Sequence, residues 1–102
     1  MGDAVGNRLL LTAAIVELEA MRYTPAAVPV INLRLEHASS VTEADQAREI
    51  KAVLKAMAFG TLAERLARQA IGSEWSFSGF LASPRNGKHV VFHIQEISPI
   101  HS

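Results

Sequence analysis

The chain has 102 residues, 49% of them hydrophobic, with ten Lys plus Arg against ten Asp plus Glu and no cysteine. This size closes one core and leaves no room for a second domain, the apolar fraction excludes disorder, and the apolar runs are too short to cross a membrane. Without cysteine there is no disulfide, thiolate nucleophile or Cys-based zinc site, and with balanced charge any nucleic-acid site must come from segregation of charge on the folded surface.

Residues 1–6 are small and polar and read as a tail, residues 7–98 as one domain, and residues 99–102, which begin with Pro99, as a second tail. The segment Met1 to Asn7 lacks the basic stretch and apolar core of a signal peptide, and Gly6 stands where a myristoylation site needs Ser or Thr, so the expected location is the cytoplasm.

From Asn7 to Glu19 the chain alternates with period two: Leu9, Leu11, Ala13 and Ile15 on one face, Leu10, Thr12, Ala14 and Val16 on the other. Both faces of this first strand are apolar. One can fill a core; the other, Leu10, Thr12, Ala14 and Val16, needs a different cover, which predicts a homodimer formed through this strand. Tyr23 to Ala27 reads as a turn or loop because Pro25 fixes φ and holds Thr24 extended. In Val30 to His37, Ile31, Leu33 and Leu35 alternate with Asn32, Arg34 and Glu36, the pattern of a half-buried second strand. The small and polar residues from Ala38 to Gln46 read as a mobile loop.

Residues 47–59 support two assignments. Ile50, Val53, Leu54 and Met57 fall at helical spacing among good helix formers, whereas a strand would put Ile50, Leu54 and Ala58 on one side and Lys51, Val53 and Lys55 on the other. Propensity does not separate them. After Gly60, Thr61 and Glu64 have the spacing of a capping box, predicting a helix from Leu62 of about ten residues, stopped by Gly72. Its apolar stripe is Leu62, Leu66 and Ala70 with Ala63, Ala67 and Ile71. Trp75, Phe77, Gly79 and Leu81 then point inward from a fourth strand. Phe80 is out of phase with them, available to stack on a base or to pack against a neighbouring subunit. Asn86-Gly87 signals a tight hairpin into a fifth strand, His89 to Ile97.

Two strands, a third segment, a short helix and two more strands make up the order of an OB-fold: an all-β, five-stranded Greek-key barrel with one short helix between strands three and four. Asn7 to Thr12, Leu35-Glu36-His37, Gly79-Phe80 and Asn86-Gly87, in this order over residues 7–97, resemble the primosomal replication protein N (PriB) family. Phe59 to Glu64 is also similar to bacterial single-stranded-DNA-binding proteins. The resemblance implies that residues 48–59 are strand three, against their helical periodicity, and that the protein is a homodimer paired through strand one. It further implies a role in replication restart: holding single-stranded DNA and bridging the PriA helicase to helicase-loading factors such as a DnaT-like primosome protein.

Binding of single strands needs cations for phosphates and flat side chains for bases. Carried over from the family, the candidate DNA-binding residues are Arg22 in the first loop, Arg34 on strand two, Lys51 and Lys55 on strand three, and Arg85 and Lys88 around the last hairpin; His89, beside Lys88, is a further candidate contact. Glu17 stands where the family commonly has a basic residue, and Lys51 where a stacking tryptophan is often found. Tyr23 is placed either to reach DNA from its loop or to serve a structural role; Trp75 belongs in the core by its phase, and His37 and His93 are read as structural. His89 and His93, four residues apart on a strand, would be about 13 Å apart, too far to share a metal. No nucleophile elbow or phosphate loop is present, so the sequence predicts no catalytic residue, metal or cofactor. Two rival readings remain, a general single-stranded-DNA-coating protein, which would be expected to carry an acidic tail, and an OB-fold protein-interaction module with little DNA affinity.

Overall fold

The computed structural model describes residues 6–100. Of the two expected tails, residues 1–5 and 101–102 lie outside the described residues. The elements are β1 (Leu9–Leu18), β2 (Arg22–Tyr23), β3 (Pro29–Glu43), β4 (Gln46–Phe59), α1 (Thr61–Ala67), β5 (Glu74–Ala82) and β6 (Val91–Ser98). Five long strands run β1-β5-β6-β4-β3, and β1 pairs back onto β3 to close the barrel. This is the expected OB-fold. β2, read from the sequence as part of a loop, adds a two-residue ladder to β3 through Arg22 opposite Val30 and Tyr23 opposite Pro29.

The inward face of each strand fills one core: Ala13 and Ile15 from β1, Ile31, Leu33 and Leu35 from β3, Ala56 and Ala58 from β4, Phe77 from β5, and Phe92, Ile94 and Ile97 from β6. Helix α1 adds Ala63 and Leu66. Full burial of each large side chain contributes about 1.5–3 kcal/mol. Trp75 packs partly buried against this cluster, and its indole N–H donates to the Ser73 hydroxyl.

Residues 47–59 are strand. β3 carries a continuous apolar row that must be covered and a long edge whose N–H and C=O groups must be paired, and β4 meets both needs in an unbroken register from Val30 opposite Phe59 to Glu43 opposite Gln46. A helix over Ile50 to Met57 would leave that edge open. The same register overturns the expected mobile loop over Ala38 to Gln46: β3 and β4 continue as a two-stranded arm whose tip is Ala44-Asp45, with φ 52° and 64°. Two left-handed residues in a two-residue loop are the hairpin geometry that matches strand twist, reached here without the Asn-Gly pair that usually signals it. From Ser39 to Glu49 every residue of the arm is exposed, so it is held by its ladder and not by the core.

Three local expectations are corrected. The capping box does not form, because the helix begins at Thr61 itself, and no side chain caps it. Gly60 is the N-cap, at φ 74° and ψ −146°, a region open in practice only to glycine; its carbonyl accepts from Ala63 and Glu64 N–H, and its N–H donates to Pro29. The helix has seven residues and ends at Ala67, leaving Ala67, Ala70 and Ile71 outside the core. Gly72 is therefore not its stop: the Gly72 N–H donates to the Ile15 carbonyl and carries the chain into β5. The last hairpin is not tight. Strand β5 ends at Ala82 and β6 starts at Val91, with a turn closed by the Gly87 N–H on the Pro84 carbonyl, so Arg85 and Asn86 hold its centre and neither has positive φ. His89 consequently lies in this loop and not on the strand with His93.

A bulge and two sets of side-chain-to-backbone bonds position the outer surface. β1 has a bulge: Ile15 faces Leu35 and Glu17 faces Arg34, leaving Val16 as the extra residue. Strict alternation would put Glu17 on the core side with Ile15; the bulge turns it outward and brings Leu18 against the core instead. At the start of β1 the Asn7 side chain continues the β5 ladder, donating to the Leu81 carbonyl at 2.8 Å and accepting the Leu81 N–H at 2.9 Å. The His37 ring reaches across to β1, where the Thr12 carbonyl accepts from Nδ1 at 2.6 Å.

Candidate nucleic-acid interface

Once β4 is a strand, its alternation fixes what the barrel shows to solvent. Leu54, Ala56 and Ala58 turn toward the core side, and Lys51, Val53, Lys55, Met57 and Phe59 share the outer face. Across the ladder lie Ala38, Glu36, Arg34 and Asn32, so Arg34 and Lys55 are directly paired neighbours. Two like charges at that separation repel, and the arrangement is relieved by Glu17, whose Oε1 lies 3.2 Å from Arg34 Nε with both side chains about half exposed.

A groove of about 420 Å³ opens at this point. It is lined by Arg22 from β2, Arg34 and Asn32 from β3, Lys55 and Met57 from β4, and His89 from the β5–β6 loop, with Glu17 and Glu19 on its acidic side. The fold thus brings four of the seven expected residues, Arg22, Arg34, Lys55 and His89, to one place. Lys51 is not among the groove residues. It sits opposite Ala38 at the base of the arm, on the same face as Lys55 and about 13 Å along the strand. Arg85 and Lys88 are on the β5–β6 loop, each next in sequence to a residue that lines the groove, Pro84 and His89.

Of the aromatic part of this face the sequence singled out Phe80 but missed Phe59 and the stack through His93. His93 stands opposite Met57 on β4 and opposite Phe80 on β5, and its ring stacks on both flanking aromatics: Phe80 at 4.9 Å between centroids with planes 13° apart, and Phe59 at 6.1 Å and 18°. Phe59 is 45% exposed, so one ring face at the end of the ladder meets solvent. The signal was present: Phe59 is in phase with Lys55 and Met57 as soon as the segment is a strand, and Phe80 is out of phase with Phe77. His93 lies one strand step of two residues, about 7 Å, from the groove residue Val91.

Burial depresses the His93 pKa below 6.5. Charging it costs more in the folded than in the unfolded chain, so its contribution to stability is complete above pH 6.5 and is lost as pH falls toward the folded value. Urea unfolding at pH 7.5 and pH 5.5 is expected to show a lower midpoint at the acid end. The part due to this ring disappears in His93→Phe.

The outward residues of β1 expected at a dimer interface are accessible in the single chain. Leu10 is 71% exposed, Val16 is exposed, and Thr12 and Ala14 lie on the same outward face. Beside them β1 pairs with β5 over Leu9 to Ala14 but with β3 only from Ala14 onward, so one backbone edge of Leu9 to Ala13 faces no strand among the described residues.

The closed barrel with its single short helix places the molecule in the class of OB-fold proteins. The wild-type single-stranded DNA binding protein of Thermus aquaticus shares this fold, with a TM-score of 0.73 at 21% identity over 93% of this chain and 50% of that one. Residues 7–96 match a family described as another single-strand binding protein family. The replication restart protein PriB of Bordetella pertussis is 41% identical over 91 residues, 88% of this chain and 85% of the relative. The structure of PriB from Ralstonia solanacearum superimposes with a TM-score of 0.83 at 42% identity, over 93% of this chain and 98% of that one. The chain belongs to the replication restart protein PriB family.

Proposed function

We propose that the protein binds single-stranded DNA in replication restart, as a cytoplasmic homodimer that joins the PriA helicase to helicase-loading factors such as a DnaT-like protein. The observation that carries this reading is the convergence of Arg22, Arg34, Lys55 and His89 on one groove, two residues along the sheet from the Phe59–His93–Phe80 ladder. Cations hold phosphates at the groove, and the open ring of Phe59 offers a stacking surface to a base, worth about 1–3 kcal/mol. Lys51, Arg85 and Lys88 extend the path along the arm and the loop. Pairing of two β1 strands, with Leu10, Thr12, Ala14 and Val16 at the contact, would satisfy the open backbone edge and cover Leu10. The protein acts by binding and not by turnover.

A salt titration of labelled oligo-dT tests the core of this reading: neutralising three to five phosphates gives a slope of log affinity on log salt of about −2 to −4. No binding at low salt would exclude it. Sedimentation of Leu10→Glu tests the dimer, with a monomer expected. A second reading, a protein-interaction module of little DNA affinity, is favoured by Glu17 and Glu19 in the groove; capture of the helicase at full strength by a variant that no longer binds DNA would support it.

A further inference from the structure

The bulge in β1 has a chemical outcome in the groove. Because Val16 is the extra residue, Glu17 leaves the core face and its carboxylate meets the guanidinium of Arg34 at 3.2 Å. A carboxylate there occupies the kind of position a phosphate oxygen takes on arginine, an anionic acceptor on a planar donor. Arg34 is the one groove cation with an ion-pair partner among the described residues, and Lys55 lies directly across the ladder from it. Glu19 lines the same groove and adds a second negative charge.

We propose that Glu17 is an internal competitor for DNA phosphate, a latch on Arg34 that a bound strand must displace and that sets the affinity of the groove. The inference rests on the DNA-binding reading above. A phosphate entering the groove has to break the Glu17–Arg34 pair and then sit beside a freed carboxylate, so the latch opposes binding both by occupying Arg34 and by repelling the strand. An exposed pair of this kind is weak enough to open, which makes the latch a tuning device and not a block. It also tilts the groove against short strands: a ligand that reaches only Arg34 displaces the carboxylate for a single contact, whereas one that also reaches Arg22 and Lys55 gains two unopposed cations.

The test is a set of four full-length proteins, wild type, Glu17→Gln, Arg34→Ala and the double variant, titrated by fluorescence anisotropy against labelled oligo-dT over a range of salt. Glu17→Gln is expected to bind about three- to tenfold tighter at low salt, with little change in slope, because Arg34 meets a phosphate in both complexes and only the wild type must first free a carboxylate. In the Arg34→Ala background the gain from Glu17→Gln should shrink to less than about twofold, since there is no latch left to release. Wild-type binding with no gain in Glu17→Gln would overturn the latch while leaving the DNA-binding reading intact. An equal gain with and without Arg34 would also overturn it, reducing Glu17 to one more unit of surface charge. Absence of binding by all four proteins would overturn both.

Discussion

Reversing Arg22 and Lys55 together to glutamate is expected to weaken oligo-dT binding by about 30-fold at low salt, and to flatten the salt dependence by about 1.4, at 0.7 for each phosphate no longer neutralised. These two cations line the groove without an ion-pair partner among the described residues, whereas Arg34 is already held by Glu17. They are therefore expected to contribute more to the proposed grip than their number suggests. The matched control is the double reversal of Arg65 and Arg68. These belong to a separate surface with Gln95 and Glu96 that shares no residue with the groove, and a change of less than about threefold is expected there. Equal losses in the two variants would mean that DNA senses only net charge, and the groove assignment would fail. Both variants change side chains outside the core, so thermal unfolding by circular dichroism should remain near wild type.

The largest effect on stability is expected at Gly79. A Cβ there would overlap the carbonyl oxygen of His93 and press on the amide of Gln95, both backbone atoms that no side-chain rotation can move. The close approach arises where the β5–β6 register shifts: Ser78 faces Glu96 and Gly79 faces Ile94, so Gln95 is the unpaired residue. Gly79→Ala must push β6 away from β5 in the wall of the barrel, at a cost of about 2–4 kcal/mol and a fall in melting temperature of at least about 10 °C. The displaced carbonyl belongs to His93, so the aromatic ladder should loosen too. A variant that melts within about 2–3 °C of wild type, roughly the size of a surface change, would show that the two strands do not meet so closely.

What was legible in the sequence follows from which signals are local. Alternation in β1, β3 and β5 marks the core face directly, since Ala13 and Ile15, Ile31, Leu33 and Leu35, and Phe77 are all buried. Segment 47–59 could not be resolved from its own residues, because its strand state is decided by the open edge of β3, a partner outside the segment. The arm was hidden for a related reason: Ala44-Asp45 is an unusual pair for a two-residue turn, and exposed two-stranded ladders carry no core pattern. Of the candidate binding residues, the resemblance named the cations, yet only the register shows that Arg34 and Lys55 are neighbours while Lys51 lies farther along. The acidic side of the groove depended on a single bulge at Val16, which inverts the phase on which a period-two reading relies. The capping box and the Asn86-Gly87 hairpin were sound local chemistry, but Gly60 enters the helix at positive φ, and β5 ends at Ala82 and β6 starts at Val91, leaving Asn86-Gly87 inside a longer loop.

The double character of β4 also bears on how the chain reaches its native state. Helical turns over Ile50 to Met57 need only neighbours and relax within about a microsecond, while the ladder to β3 must first bring more distant residues into register. In a segment this short such turns are marginal in water, so the unfolded ensemble visits this local shape, which the barrel does not use, only transiently. Of the two segments that close the β3–β4 hairpin, β4 is the one with helical spacing, and substitutions that weaken that spacing without touching the core are expected to quicken barrel formation while leaving the finished barrel unchanged.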